Sequence, residues 1–148
     1  MSIAVDVAAE DMRMPLPRDR VVAIARSALI AEGVRDALVS VTFLGRRRIA
    51  ALNRTHLGHR GATDVISFGF TRASKRDPVI GDVYICPDVA RANAASRRIP
   101  VREELTRLVV HGVLHVLGHD HPEGDEREKS PMWRRQEALV RRLRRRAS

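Results

Sequence analysis

A single cysteine rules out an internal disulfide. Cys86 closes the apolar stretch Val83–Cys86 and reads as a small core residue of a protein held in a reducing cytoplasm. No apolar run nears the ~20 residues that a membrane span needs. The opening Met1–Asp6 carries an acid and no cationic apolar signal, so a soluble, unexported chain with no membrane partner is expected. With three Phe, one Tyr and one Trp, aromatics are too few to build platforms on which nucleic-acid bases stack. Lysine is scarce as well. Only Lys75 and Lys129 break an otherwise all-arginine set of 27 basic residues, which fits a GC-rich genome as well as selection for guanidinium contacts.

The charge that remains is large and uneven. Against 18 acidic residues the chain carries a formal +9, and residues 133–148 hold seven arginines with one glutamate, Glu137. Such a balance points to polyanions, nucleic acid ahead of membrane, because no large amphipathic anchor accompanies it. A length of 148 residues suits one domain, 1–148, with a core that needs no staples.

Periodicity supplies the elements. Ile3–Val7 alternates as a strand, and a helix is expected from about Asp19 to Glu32, stopped by Gly33. Val39–Leu44 is a second strand, followed by a basic helix from Arg46 to about Thr55 with Ile49 and Leu52 inward and Arg46, Arg47, Arg48 and Arg54 wet. Thr63–Phe70 and Val79–Cys86 read as strands of a hairpin, and Pro87 opens an Ala-rich helix to about Arg98. The next helix starts after Pro100, with Glu103 and Glu104 at the positive end of its dipole and apolar residues around almost its whole circumference. Glu123–Ser130 is expected as an acidic loop, and Met132–Arg146 as an amphipathic helix with Trp133, Leu139, Val140 and Leu143 inward. The class that follows is α+β, a small mixed sheet of about four strands covered by about five helices.

Four of the six histidines fall within His111–His121. His111 and His115 lie one helical turn apart on one face, and Gly118 provides the left-handed break that lets His121 turn back and close a three-nitrogen face. Imidazoles on a buried helix each cost about 1–3 kcal/mol if unpartnered, and a bound ion satisfies them. One Zn2+ per chain on His111, His115 and His121, with one position open, has the form of a catalytic rather than a structural zinc site. His119 and Asp120 are spare ligands, partners that orient an imidazole or turn residues, the last two roles ranking ahead of ligation.

These residues resemble a known family, the bacterial YbeY rRNA maturation factors. The resemblance rests on His111-Gly-x-Leu-His115-x-x-Gly118-x-Asp120-His121, on Leu52-Asn53 followed by Thr63-Asp64-Val-Ile-Ser67-Phe68, and on Gly81-Asp82-Val-Tyr-Ile85, in family order over about residues 40–140. It implies zinc held by His111, His115 and His121 in an α+β domain. It also implies a single-strand-specific endoribonuclease acting in ribosomal RNA maturation, at the 3′ end of small-subunit rRNA, and in ribosome quality control. The implied partners are single-stranded rRNA and the small ribosomal subunit with its assembly proteins, and DNA is not expected. Many members carry an arginine where this chain has Leu57, so the family's phosphate-binding arginine has no counterpart there. Arg54, Arg60 and His59 from the same loop are the candidate substitutes, against a reading as solvated loop residues. His59 is favoured, because some relatives carry a Leu-Gly-His version of the loop. His59 and Asp120 are then the candidates for proton transfer, and Arg54 and Arg60 for holding the RNA backbone.

Two other readings stand beside this one. The spacing H-x3-H-x2-G-x2-H is also that of metzincin peptidases, but those place their glutamate base directly after the first histidine, where this chain has Gly112. In the other, zinc is structural and the protein binds RNA during ribosome assembly without cutting it. The open coordination position favours an enzyme.

Overall fold

Side chains that alternate between buried and wet along Ser2–Ala9 (β1), Asp36–Phe43 (β2), Val65–Gly69 (β3) and Val79–Ile85 (β4) place these segments in one sheet of the computed structural model, which describes residues 1–147. The order is β1-β2-β4-β3, with β1, β2 and β4 parallel and β3 antiparallel to β4 at the edge. The mixed sheet and the β3–β4 hairpin are as expected. Parallel neighbours need a crossover, and the helix Arg18–Ala31 (α1) makes the one from β1 to β2. One face is fully dry, with Val39, Val41, Phe43, Val83 and Ile85 inaccessible to solvent. The other face keeps Leu38 and Ile80 exposed and carries a hydrogen bond from Ser40 Oγ to Asp82 Oδ1 (2.6 Å).

The remaining α-helices are Arg46–Leu52 (α2), Pro87–Arg97 (α3), Val101–Val116 (α4) and Pro131–Ala147 (α5). Pro87 at the first turn starts α3, because its fixed φ and missing N–H suit that position. Helix α4 touches α1, α3, α5 and both strands of the hairpin. It can seat so closely because glycine faces it or lies on it at the contact. A Cβ on Gly112 would run into Val83 Cγ1, and a Cβ on Gly69 or Gly81 would run into Val116.

Two segments depart from expectation. The basic helix ends at Leu52, and residues Asn53–Leu57 continue as a wider π-helical turn closed by Gly58 at φ +67°. The apolar face stops with Leu52, and the buried Asn53 amide donates to Gly61 O (3.0 Å), which draws the following loop across the helix end. The acidic stretch read as a loop holds a 3-10 turn, Gly124–Lys129. Ser130 fastens its end: its Oγ donates to Arg127 O (2.7 Å) and accepts from the Trp133 N–H (3.2 Å) at the start of α5. Cys86 lies buried with Leu44, Ile49 and Ile66 in a small cluster under α2, as a core thiol should.

The packing at Gly112 carries a direct test. Gly112→Ala should lower unfolding stability by about 1–3 kcal/mol in a denaturant titration, because the added methyl overpacks against Val83. The same change at half-buried Gly45, where a Cβ meets nothing within 4 Å, should cost less than half as much.

Candidate metal centre

Helix α4 sets His111 and His115 one turn apart and then stops. Gly118 takes φ +98°; its N–H bonds to His115 O (2.9 Å), and the His119 N–H bonds to Leu114 O (3.0 Å). This double closure is the Schellman arrangement, and the left-handed residue reverses the chain. Asp120 Oδ1 accepts the His121 N–H (2.8 Å) in the reversed segment. His121 arrives beside the other two, with ring centroids 5.1 Å from His111 and 5.0 Å from His115, and His111 and His115 4.6 Å apart. One nitrogen from each ring lies within 4.8 Å of the other two, so the trio can hold a metal ion.

The second nitrogens are occupied in a way that frees the first. His111 Nδ1 stands 2.5 Å from Gln136 Oε1 on α5. A carbonyl oxygen only accepts, so Nδ1 carries the proton and Nε2 keeps its lone pair. The amide cannot turn over, because Gln136 Nε2 donates to Glu137 Oε2 (3.0 Å) and a carboxylate has no proton to give. His121 Nδ1 likewise faces Pro122 O (2.9 Å). Burial is the main force holding His111 neutral, pushing its pKa down to about 3 from an ordinary 6.5; the positive ends of His115, Arg127 and His121 add to it, and the Gln136 bond opposes it. His115 is also lowered, by burial first and then by His121. Neutral imidazoles are the ligating form, so the donor set fits a cation.

Behind Gln136 runs a buried charged network. Arg107 meets both Glu137 oxygens at 2.8 Å, Glu104 at 3.2 Å and Glu103 at 3.3 Å. Burial raises the Glu137 pKa, but its bonds to Arg107 and Gln136 outweigh that and leave it lowered; Arg107 is raised, chiefly by Glu137. Asn93 then links Glu104 (3.4 Å) to Asp64 (3.1 Å). Glu103 and Glu104 thus do more than meet the helix dipole.

His119 points elsewhere, its Nε2 2.6 Å from Glu32 Oε1 at the end of α1, where Arg135 Nε also binds Glu32 (2.6 Å). Arg54 is exposed on the π-helical turn after α2, and His59 and Arg60 on the loop that follows; among the described residues none of the three is hydrogen-bonded or ion-paired to the trio. The π-helical turn sets His56 edge-on to Phe68 at 5.3 Å. The pattern of residues pointed to the three histidines but not to Gln136 or Arg107. A glutamine on the inward face of α5 and an arginine on an otherwise apolar α4 were the signals available.

The sequence profile of the family described as Endoribonuclease YbeY matches residues 7–144. The chain belongs to that family. Relatives named Endoribonuclease YbeY include one from Frankia alni, 36% identical over 93% of this chain and 81% of its own length. One from Geobacillus kaustophilus is 36% identical over 81% of each chain. A third, from Anaeromyxobacter sp., is 44% identical over 66% of this chain, which spans only 50% of that longer protein. The fold is similar to the solution structure of TM1509 from Thermotoga maritima, with a TM-score of 0.59 at 23% identity over 94% of this chain and 88% of that one. The YbeY family resemblance read from the motifs is therefore correct, and the YbeY-like α+β class with it.

Two measurements bear on this YbeY-family centre. Gln136→Leu should weaken metal binding about 10–100-fold in competition with a chromophoric chelator, since partners that orient a ligating imidazole typically carry that much. In the metal-free protein the unfolded chain takes up a proton at His111 near pH 6.5 while the folded chain resists it to about 3. The stability this residue contributes is therefore complete above pH 6.5 and is lost as pH falls toward 3, which thermal melts across that window should record.

Proposed function

We propose that residues 1–148 form one zinc-dependent, single-strand-specific endoribonuclease domain that works in the cytoplasm on ribosomal RNA, maturing the 3′ end of small-subunit rRNA and serving ribosome quality control. One zinc per chain on His111, His115 and His121 is the cofactor in this reading, and unpaired rRNA on the small subunit with its assembly proteins is the partner. DNA is not an expected substrate, and among the described residues no helix is long and apolar enough to cross a membrane.

The observation that carries the reading is the pairing of three convergent imidazoles, of which His111 and His115 are held neutral by burial, with Gly112 where a peptidase would carry its base. Gly112 is packed against Val83 of the sheet, so a glutamate at this position would meet a strand and not a substrate. Zinc bound there supplies a Lewis acid toward a phosphoryl oxygen and brings the acidity of water toward neutral pH. The chain supplies the rest. Gln136 and Pro122 O fix two ring orientations, and burial keeps His111 and His115 unprotonated. Asp120, beside His121 in the reversed segment, and His59, on the loop after α2, are assigned to proton movement, and Arg54 and Arg60 to the RNA backbone. The attacking group is water or the ribose 2′-hydroxyl.

Arginines hold the remaining length of RNA. Arg135 and Arg144 are engaged at Glu32 and Glu103, so this role falls on the exposed Arg141 and Arg142 of α5 and on Arg46 and Arg47 of α2.

With purified zinc-loaded protein, a single-stranded oligoribonucleotide should be cut while duplex RNA, DNA and casein are not. His115→Ala should abolish both cutting and zinc retention. A His115→Ala protein that cuts normally would assign the activity to a contaminant and leave a zinc-stabilised assembly factor as the better reading. Binding should weaken with salt, and Arg141→Glu with Arg142→Glu should lower the log–log salt slope by roughly 1.4, about 0.7 for each phosphate that an arginine no longer neutralises on a single strand.

A further inference from the structure

Arg127 is the residue whose chemistry the centre has not absorbed. It sits on the 3-10 turn between His121 and α5, with its carbonyl pinned by the Ser130 N–H (3.2 Å) and Oγ (2.7 Å). Its guanidinium lies over the Trp133 ring, 5.9 Å from the centroid, a ring it shares with Arg97 at 5.5 Å. Among the described residues, Arg127 Nε is the one buried side-chain nitrogen or oxygen with no hydrogen-bond partner. Four acids flank it, Glu123 just before the turn and Asp125, Glu126 and Glu128 on it, yet all are exposed, and among the described residues none forms an ion pair with it. The contrast with Arg107, which Glu137, Glu104 and Glu103 neutralise, is plain.

A buried donor left alone costs about 1–3 kcal/mol, more when charged, so its retention asks for a ligand. The ligand has to be an anion. A guanidinium is always charged and carries only donors. Trp133, over which it lies, stands one helical turn before Gln136, the partner of His111, so Arg127 sits along the face of α5 that carries the contact to the centre. An anion with two oxygens to offer suits such a place: a guanidinium fork takes one edge of a phosphodiester and leaves the other free.

We infer that Arg127 binds the phosphate that faces the three-histidine centre, holding it by its Nε and terminal nitrogens while Trp133 keeps the guanidinium in place. The assignment rests on the nuclease reading for the identity of the phosphate as RNA, and on the lone Nε for the existence of the site. As a phosphodiester is attacked, charge builds on its non-bridging oxygens, and a donor already aimed at them needs no reorganisation.

Trp133 is the only tryptophan of the chain, so its fluorescence reports on this guanidinium. Inorganic phosphate titrated into the zinc-loaded protein should give a saturable change in emission. Arg127→Ala should raise the half-saturation at least about tenfold, the loss expected for one charge-assisted hydrogen bond, with zinc content kept and the melting temperature not lowered. Arg127→Lys, which keeps charge but not the fork, should fall between, and stands in if the alanine variant folds poorly. Arg97→Ala should alter the starting emission and leave the half-saturation unchanged. An Arg127→Ala protein that binds phosphate as the parent does overturns the inference, even where RNA cutting by the parent upholds the nuclease reading. Arg127-dependent phosphate binding in a parent that cuts no RNA supports the phosphate site and removes the nuclease reading alone.

Discussion

Helix α4 is pressed against the hairpin more closely than side chains would allow, and the rest of the molecule is arranged around that contact. Gly112 meets Val83, and Gly69 and Gly81 admit Val116. With one side of the helix against β3 and β4 and the others against α1, α3 and α5, any polar group it carries must find its partner inside the protein. His111, Glu104 and Arg107 are such groups, at 4%, 1% and 9% exposure. Each is answered from a neighbouring element.

The answers form one connected system. Arg107 draws Glu137 on α5 to α4, Glu137 fixes the amide of Gln136, and Gln136 fixes the tautomer of His111. A truncation at Arg107 would take a charged partner from Glu137 and from the buried Glu104 at once, so the network binds the elements together most firmly while every member is present. Orientation of a ligand is therefore inherited from the packing of two helices and not from the histidine-bearing segment itself. The same docking of α5 brings Trp133 under Arg127, so the phosphate contact and the metal ligands share one scaffold.

The reversal after α4 adds a constraint of its own. Leu117 ends the helix, Gly118 turns left-handed, and within three residues His121 is back against the helix. His119, in the middle of that reversal, is thrown outward to Glu32, which also takes Arg135. One histidine thereby ties the turn to α1 while its neighbour joins the centre. The two roles differ by two positions in sequence, and backbone direction separates them.

Much of this was legible in the residues, and the reason is that it is local. Alternation along 36–43 and 79–85, the H-x3-H step, the glycine at 118 and the proline at 87 act within a few residues of themselves, so strands, helices and the three-histidine face follow from spacing. The strand order, with β4 between β2 and β3, is a matter of crossover and does not appear in any window of sequence. Nor does the π-helical turn at 53–57, which depends on Asn53 reaching Gly61, or the 3-10 turn that Ser130 closes. Gln136 and Arg107 lie 25 and 30 residues from the groups they serve, and Arg127 is set apart only because every acid near it turns outward. The sequence by itself determined which residues can ligate and that the chain is basic, since both are properties of side chains at short spacing. Which tautomer His111 adopts, which histidine is left out, and which buried arginine nitrogen stays without a hydrogen-bond partner were decided by tertiary structure, because each depends on what distant elements bring to the atom concerned.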